Sequence, residues 1–319
     1  MFRKLPVVLT ADELLERSFK KAKKVIIVDR NTLYKKKKTI IAQIDSFSNS
    51  VISTLEQYVK KFPSIDNLPA FYQELIDIKI DVNKLKKSLG AADWARKTCQ
   101  MIYTKQSKSL KKSKNVDFLA KKQEEIYGRI SSVVKQIGQE LENLAVAQNI
   151  MRVFPEIQDI PTVVIAGYPN VGKSSLLRCL SAAKPKIAQY PFTTKEIHVG
   201  HIERKEKHIV KRFQIIDTPG LLDRPFSKRN EIEKQALSAL KTLANIIVFV
   251  IDSSETCGYL LKDQISLLNQ IKKTFSKSEF IVVENKADIK KTDSKYLQIS
   301  CETKQGIDVL IDEMFRLYK

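Results

Sequence analysis

Gly167-Tyr168-Pro169-Asn170-Val171-Gly172-Lys173-Ser174, followed by Ser175, is the stretch on which the fold of this chain turns. It matches G-x-x-x-x-G-K-[ST]. It follows an apolar run, Thr162–Ala166, and leads into Lys173–Ala183, which has helical spacing. That strand–loop–helix context gives the pattern its weight. Its glycines let the backbone wrap an anion with N–H groups pointing inward, at a helix start that favours negative charge. In such a loop Lys173 contacts the β- and γ-phosphates of a nucleotide. The Ser174 hydroxyl ligates Mg²⁺, and the backbone of Gly167, Asn170, Val171, Gly172 and Ser175 lines the phosphate tail.

Outward from this loop, short β-rich runs alternate with helical ones. After Thr162–Ala166 come His198–Glu203, His208–Asp217, Ile246–Asp252, Phe280–Glu284 and Leu297–Ser300. Alternation of this kind predicts an α/β domain, a mostly parallel sheet with helices on both faces. Three further motifs fall at the ends of these strands. Asp217-Thr218-Pro219-Gly220 closes one of them. There Asp217 can hold a Mg²⁺-bound water, and the Gly220 N–H can sense a γ-phosphate. Asn285-Lys286-Ala287-Asp288 follows another, and its carboxylate matches the N1–H and 2-amino donors of guanine. Adenine lacks that donor pair and would leave a charge unpaired. Ser300-Cys301-Glu302 follows the last, with the Cys301 N–H aimed at guanine O6.

The order and spacing of these four motifs resemble the P-loop GTPases as a class. The resemblance implies GTP and GDP as ligands, Mg²⁺ as cofactor, and hydrolysis of GTP. It also places switch I at Tyr190-Pro191-Phe192-Thr193-Thr194, where one threonine ligates Mg²⁺ in the GTP state. We assign Thr194, with Thr193 as the alternative. The residue after Gly220 is Leu221, where related enzymes carry the glutamine that orients the attacking water. Leucine cannot do this, so slow unaided hydrolysis is expected. Asn170 occupies the position that holds K⁺ in potassium-activated members, where the cation stabilises charge between the β- and γ-phosphates. Lys173, Thr194, Asn170 and Gly220 are therefore the candidate catalytic groups.

Residues 1–157 read differently, as a basic helical bundle joined at Phe154–Pro161 to a nucleotide-binding domain over 158–319. Glycine is nearly absent there and apolar residues recur every three or four positions. Thr10-Ala11-Asp12-Glu13 has the form of a capping box opening a helix towards Lys24. Ile41, Ile44, Phe47, Val51, Leu55 and Tyr58 mark the face of a second helix, ended by Pro63. Ile126, Ile130, Val134, Ile137, Leu141 and Leu144 predict one long helix over 116–150. Trp94 is expected in the core.

Net charge is +20, and residues 1–150 hold 29 Lys and Arg against 16 Asp and Glu. Such an imbalance suggests a polyanionic partner. Lys35 to Lys38 form an unbroken run, and Lys105, Lys108, Lys111, Lys112 and Lys114 crowd an expected inter-helix segment. Either could track a phosphate backbone. The four scattered cysteines read as reduced thiols, and His198, His201 and His208 as strand-face residues. No apolar run suits a membrane span or a secretory leader, which predicts a cytoplasmic protein, and a monomer is expected.

The YPFTT switch, the DTPG followed by leucine and the NKAD resemble the Obg-related branch. Leu68-Pro69-Ala70-Phe71-Tyr72, Leu75-Ile76-Asp77, Ser88-Leu89-Gly90 and Trp94-Ala95-Arg96-Lys97-Thr98 resemble the nucleolar GTP-binding protein family, in a short form similar to its archaeal members. That resemblance implies a switch in assembly of the large ribosomal subunit, docking on ribosomal RNA through the basic helical domain. Two other functions fit the residues: an RNA-binding scaffold with structural GTP, and a GTPase held at a membrane surface by its lysines.

Overall fold

The structure is a computed structural model that describes residues 2–113, 115–189, 196–206, 209–225, 229 and 231–317. Contacts divide the chain into two compact units. One comprises Met1–Leu68 and Ile76–Val153, the other Pro69–Leu75 and Phe154–Lys319.

The first unit is all helix. The Thr10 hydroxyl accepts from the Glu13 N–H while Glu13 reaches back to Thr10, so the capping box opens α1 (Ala11–Lys23). α2 (Thr32–Lys61) starts under an Asn31 cap and buries Ile44, Phe47, Val51, Leu55 and Tyr58. Phe47 stacks on Phe19 at 4.5 Å and meets Tyr127 at 4.4 Å. After α3 (Ala70–Ile80), α4 (Val82–Lys112) packs on α2 and buries Leu85, Ser88, Ala92, Ala95, Cys99 and Ile102.

Three expectations need correction here. Trp94 is 48% exposed, because the buried face of α4 runs through its small neighbours Ala92 and Ala95. Lys105, Lys108, Lys111 and Lys112 lie within the last turns of α4 rather than between helices, and Lys114 lies outside the described residues. The predicted single helix over 116–150 is two, α5 (Val116–Gln136) and α6 (Gly138–Arg152). Ile137 leaves helical geometry at φ −99°, ψ 18° between them. The apolar stripe survives the break, with all six of its residues buried.

The second unit contains the sheet. Among the described residues its strands are β1 (Thr162–Ala166), β2 (Lys186–Gln189), β3 (Glu196–Glu206), β4 (Ile209–Asp217), β5 (Ile246–Ile251), β6 (Glu279–Glu284) and β7 (Leu297–Gln298). Their order is β2-β3-β4-β1-β5-β6-β7. β4, β1, β5, β6 and β7 run parallel, and β2 and β3 add an antiparallel edge. The helices are α7 (Lys173–Leu180), α8 (Glu231–Leu243), α9 (Leu261–Thr274) and α10 (Ile307–Leu317). The fold is thus the expected α/β arrangement preceded by an all-α domain. β1 and β5 are buried along their whole length, as parallel strands covered on both faces must be. Pro69–Leu75 belongs to this unit through the Tyr72 hydroxyl, which donates to the Pro155 carbonyl at 2.8 Å and accepts from the Ile157 N–H at 2.8 Å.

Candidate guanine-nucleotide site

The parallel strands end on one edge of the sheet, the edge where ligands of such folds are held. β1 is central, hydrogen-bonded to β4 and β5, so the loop after it starts from a fixed point. That loop turns on left-handed residues: Gly167 at φ +140°, Asn170 at +62° and Gly172 at +103°. A Cβ on Gly167 would stand 2.5 Å from the Val250 carbonyl oxygen, and one on Gly172 would stand 2.1 Å from Asn285 Nδ2. Glycine is therefore required at both positions for space as well as for φ. Asn170 is exposed, Val171 is buried, and Ser175 is half-buried beside Arg178.

α7 begins directly at Lys173, and the first N–H groups of a helix have no partner within it. The Lys173 ammonium donates to the Tyr168 carbonyl at 2.7 Å. Burial lowers its pKa, while Asp217 and then Asp223 act in the opposite direction. Asp217, at the end of β4, is wholly buried. One of its oxygens accepts from the Ser174 hydroxyl at 2.6 Å and lies 3.8 Å from His198 Nδ1. Its other oxygen, Oδ1, has no hydrogen-bond partner. Burial raises the Asp217 pKa. A buried carboxylate with an unsatisfied oxygen is costly unless a cation meets it. With the Ser174 hydroxyl beside it, this all-oxygen donor set fits Mg²⁺. Gly220, at φ +81°, donates its N–H to Asp223 Oδ2 at 2.8 Å.

Asn285 joins the loops at the other end of the site. Its Nδ2 donates to the Val171 carbonyl at 2.9 Å, and its Oδ1 accepts from the Cys301 N–H at 3.1 Å. The Cys301 N–H, expected to face guanine, is thus committed to Asn285 in this structure. Burial pushes the Cys301 thiol up to about 12. Ser300 is buried and accepts from the Thr303 N–H at 3.1 Å. Asp288 is exposed, and its carboxylate makes no hydrogen bond to a described residue. Lys286, left-handed at φ +64°, donates to Asp252 Oδ2 at 2.5 Å and to Thr256 Oγ1 at 2.7 Å.

Residues of all four motifs thus line one sheet edge, whereas Thr193, Thr194 and the rest of Tyr190–Lys195 lie outside the described residues, as does His208. Two acids that sequence reasoning did not single out also belong here. Whereas Asp217 is the last residue of β4, Asp252 directly follows β5, and it is wholly buried. It accepts from Lys286, Thr256, Ser254 and the Cys257 N–H. A carboxylate closing an apolar strand was the available signal. Asp223 carries no sequence signal beyond its place three residues after Gly220.

Comparison with known proteins bears on both halves. The profile of the NOG1 N-terminal helical domain matches residues 2–158, and that of the 50S ribosome-binding GTPase matches 162–286. The Methanocaldococcus jannaschii protein MJ1408 is 39% identical over 90% of this chain and 81% of its own length. Nucleolar GTP-binding protein 1 of Encephalitozoon cuniculi is 31% identical over 95% of this chain and 61% of its own length. The Kluyveromyces lactis protein of the same name is 30% identical over 98% and 48%. The chain therefore spans about half to three-fifths of these two named relatives. From its first helices to its guanine-type motifs, it belongs to the nucleolar GTP-binding protein 1 (Nog1) family, with that family's helical domain followed by a GTPase domain.

Proposed function

We propose that the chain is a GTP-binding and GTP-hydrolysing switch that acts in assembly of the large ribosomal subunit. The observation that carries the nucleotide part is the Asn285 side chain. It ties Val171 of the phosphate loop to Cys301 of the last loop, so one residue sets the distance between phosphate cradle and purine pocket. The Gly167–Ser175 loop and Lys173 would hold the phosphates, and Asp288 would read guanine. Ser174 and Asp217, with Thr194, would hold Mg²⁺, which supplies charge neutralisation at the β- and γ-oxygens. Asn170 would hold K⁺ beside the same oxygens. Equal turnover in NaCl and KCl would remove that assignment.

The ribosomal part rests on charge and kinship. Residues 1–150 carry most of the +20 excess. Relatives are named for the nucleolus, and the GTPase profile is described by binding to the 50S ribosome. A lysine-rich helical face meets structured RNA through phosphate contacts and shape. Sedimentation of the tagged chain with large-subunit precursors under a non-hydrolysable GTP analogue, but not under GDP, is the expected result. Equal sedimentation under both would leave only the scaffold.

One observation favours that scaffold. Leu221 is 1% exposed and cannot orient water, so GTP held without turnover is chemically reasonable. Turnover with and without ribosomal particles separates the two functions. Among the described residues no helix is long and apolar enough to cross a membrane.

A further inference from the structure

The Gly220 N–H is the backbone donor that a γ-phosphate would need, and here a carboxylate already holds it. Asp223 Oδ2 accepts that N–H at 2.8 Å. The contact is local and preformed, since Asp223 sits three residues beyond Gly220 on a turn that also joins Leu221 N–H to the Thr218 carbonyl. Leu221 and Leu222 are buried at 1% and 0%, and the Leu222 carbonyl accepts from the Gly167 N–H at 3.2 Å. The turn is therefore tied to the first residue of the phosphate loop.

The charges around Asp223 are those a phosphate would use. Lys173 and the buried Arg229 both lie within electrostatic range of its carboxylate. Arg229 donates to the Arg224 carbonyl at 2.8 Å, and Arg224 pairs with Glu233, so the arginines are anchored on the same segment. One N–H donates well to one acceptor at a time. A second anion brought to the same donor meets the first at close range, where like charges repel.

We infer that Asp223 sets the preference between GTP and GDP, because it competes with the γ-phosphate for the Gly220 N–H and must be displaced for the triphosphate to bind. GDP has no group to place there and leaves the contact intact. The consequence is a bias of the free chain towards the diphosphate, which a partner could relieve by drawing Asp223 away. This rests on the guanine-nucleotide function proposed above.

The test is calorimetry of the full chain with Mg²⁺, titrating a non-hydrolysable GTP analogue and, separately, GDP. Asp223→Ala removes the competing acceptor, and analogue affinity should rise about tenfold while GDP affinity stays within about twofold. Asp223→Asn keeps the shape and an acceptor oxygen but removes the charge, so the ratio should rise by a smaller factor. It serves as the deciding variant if the alanine form loses its native circular dichroism. A residue that merely shaped the turn would weaken both nucleotides together when replaced. An analogue-to-GDP ratio that is unchanged or lower in the folded variants overturns the inference. Failure of the unmodified chain to bind either nucleotide overturns the guanine site itself, a distinct outcome.

Discussion

Asp288 stands exposed at the end of the N-K-x-D turn with an acceptor pair and no partner among the described residues. Its chemistry makes a sharp prediction. Asp288→Asn exchanges one acceptor for a donor, which mismatches the guanine 2-amino group and suits the 2-oxo group of xanthine. GDP affinity should fall about a hundredfold, and xanthosine diphosphate should become the tighter ligand in competition binding. Retained guanine preference would mean another group reads the base. Asp217 makes a prediction of opposite sign for stability and function. Its wholly buried carboxylate, with one oxygen unpaired, is a burden to the nucleotide-free chain. Asp217→Asn should raise the melting temperature of that form by a few degrees, worth about 1 kcal/mol. It should also abolish Mg²⁺-dependent tightening of nucleotide binding. A melting temperature that falls instead would show that Asp217 is stabilising through Ser174 and Lys173. Asp252 should act through Lys286: replacing either should weaken nucleotide binding, and replacing both should cost little more than replacing one.

At the scale of elements, strand–loop–helix signals were legible because local chemistry forces them. Gly167 and Gly172 admit no Cβ, and the Thr10–Glu13 box is self-contained within one turn. Thr10→Ala should therefore cost about 1 kcal/mol in denaturant unfolding. Features decided between elements were not legible. The stripe from Ile126 to Leu144 fits one helix in spacing, yet the break at Ile137 keeps that residue 3% exposed and the stripe buried. Trp94 suits a core by residue type, but the buried face of α4 runs through the small side chains Ala92 and Ala95 beside it. Trp94→Ala should accordingly cost under about 1 kcal/mol, against the 3 or more of a buried tryptophan. β2 was missed because Lys186–Gln189 is short and polar, an edge strand paired on one side by β3. Asp252 was missed because its role depends on Lys286, a partner that the fold supplies, and Asp223 because its spacing from Gly220 alone does not mark an acceptor for that N–H.

At the scale of the whole molecule, the basic helical half and the nucleotide half make separable claims. Lys35 and Lys36 are exposed at the start of α2, whereas Lys38 is paired with Asp29 at 2.7 Å. If this helix start follows an RNA backbone, changing Lys35, Lys36 and Lys37 to Gln should flatten the dependence of log affinity on log salt by about two. An unchanged slope would remove these lysines from the interface without touching the nucleotide site. In the proposed function, phosphate loop, Mg²⁺ acids and purine-reading turn form one guanine-specific pocket on one sheet edge. Isothermal titration of the intact chain with GDP and with ADP in Mg²⁺ measures it most directly. Tight GDP binding is expected, with ADP weaker by about a hundredfold or more, and equal affinity for the two nucleotides would rule such a pocket out.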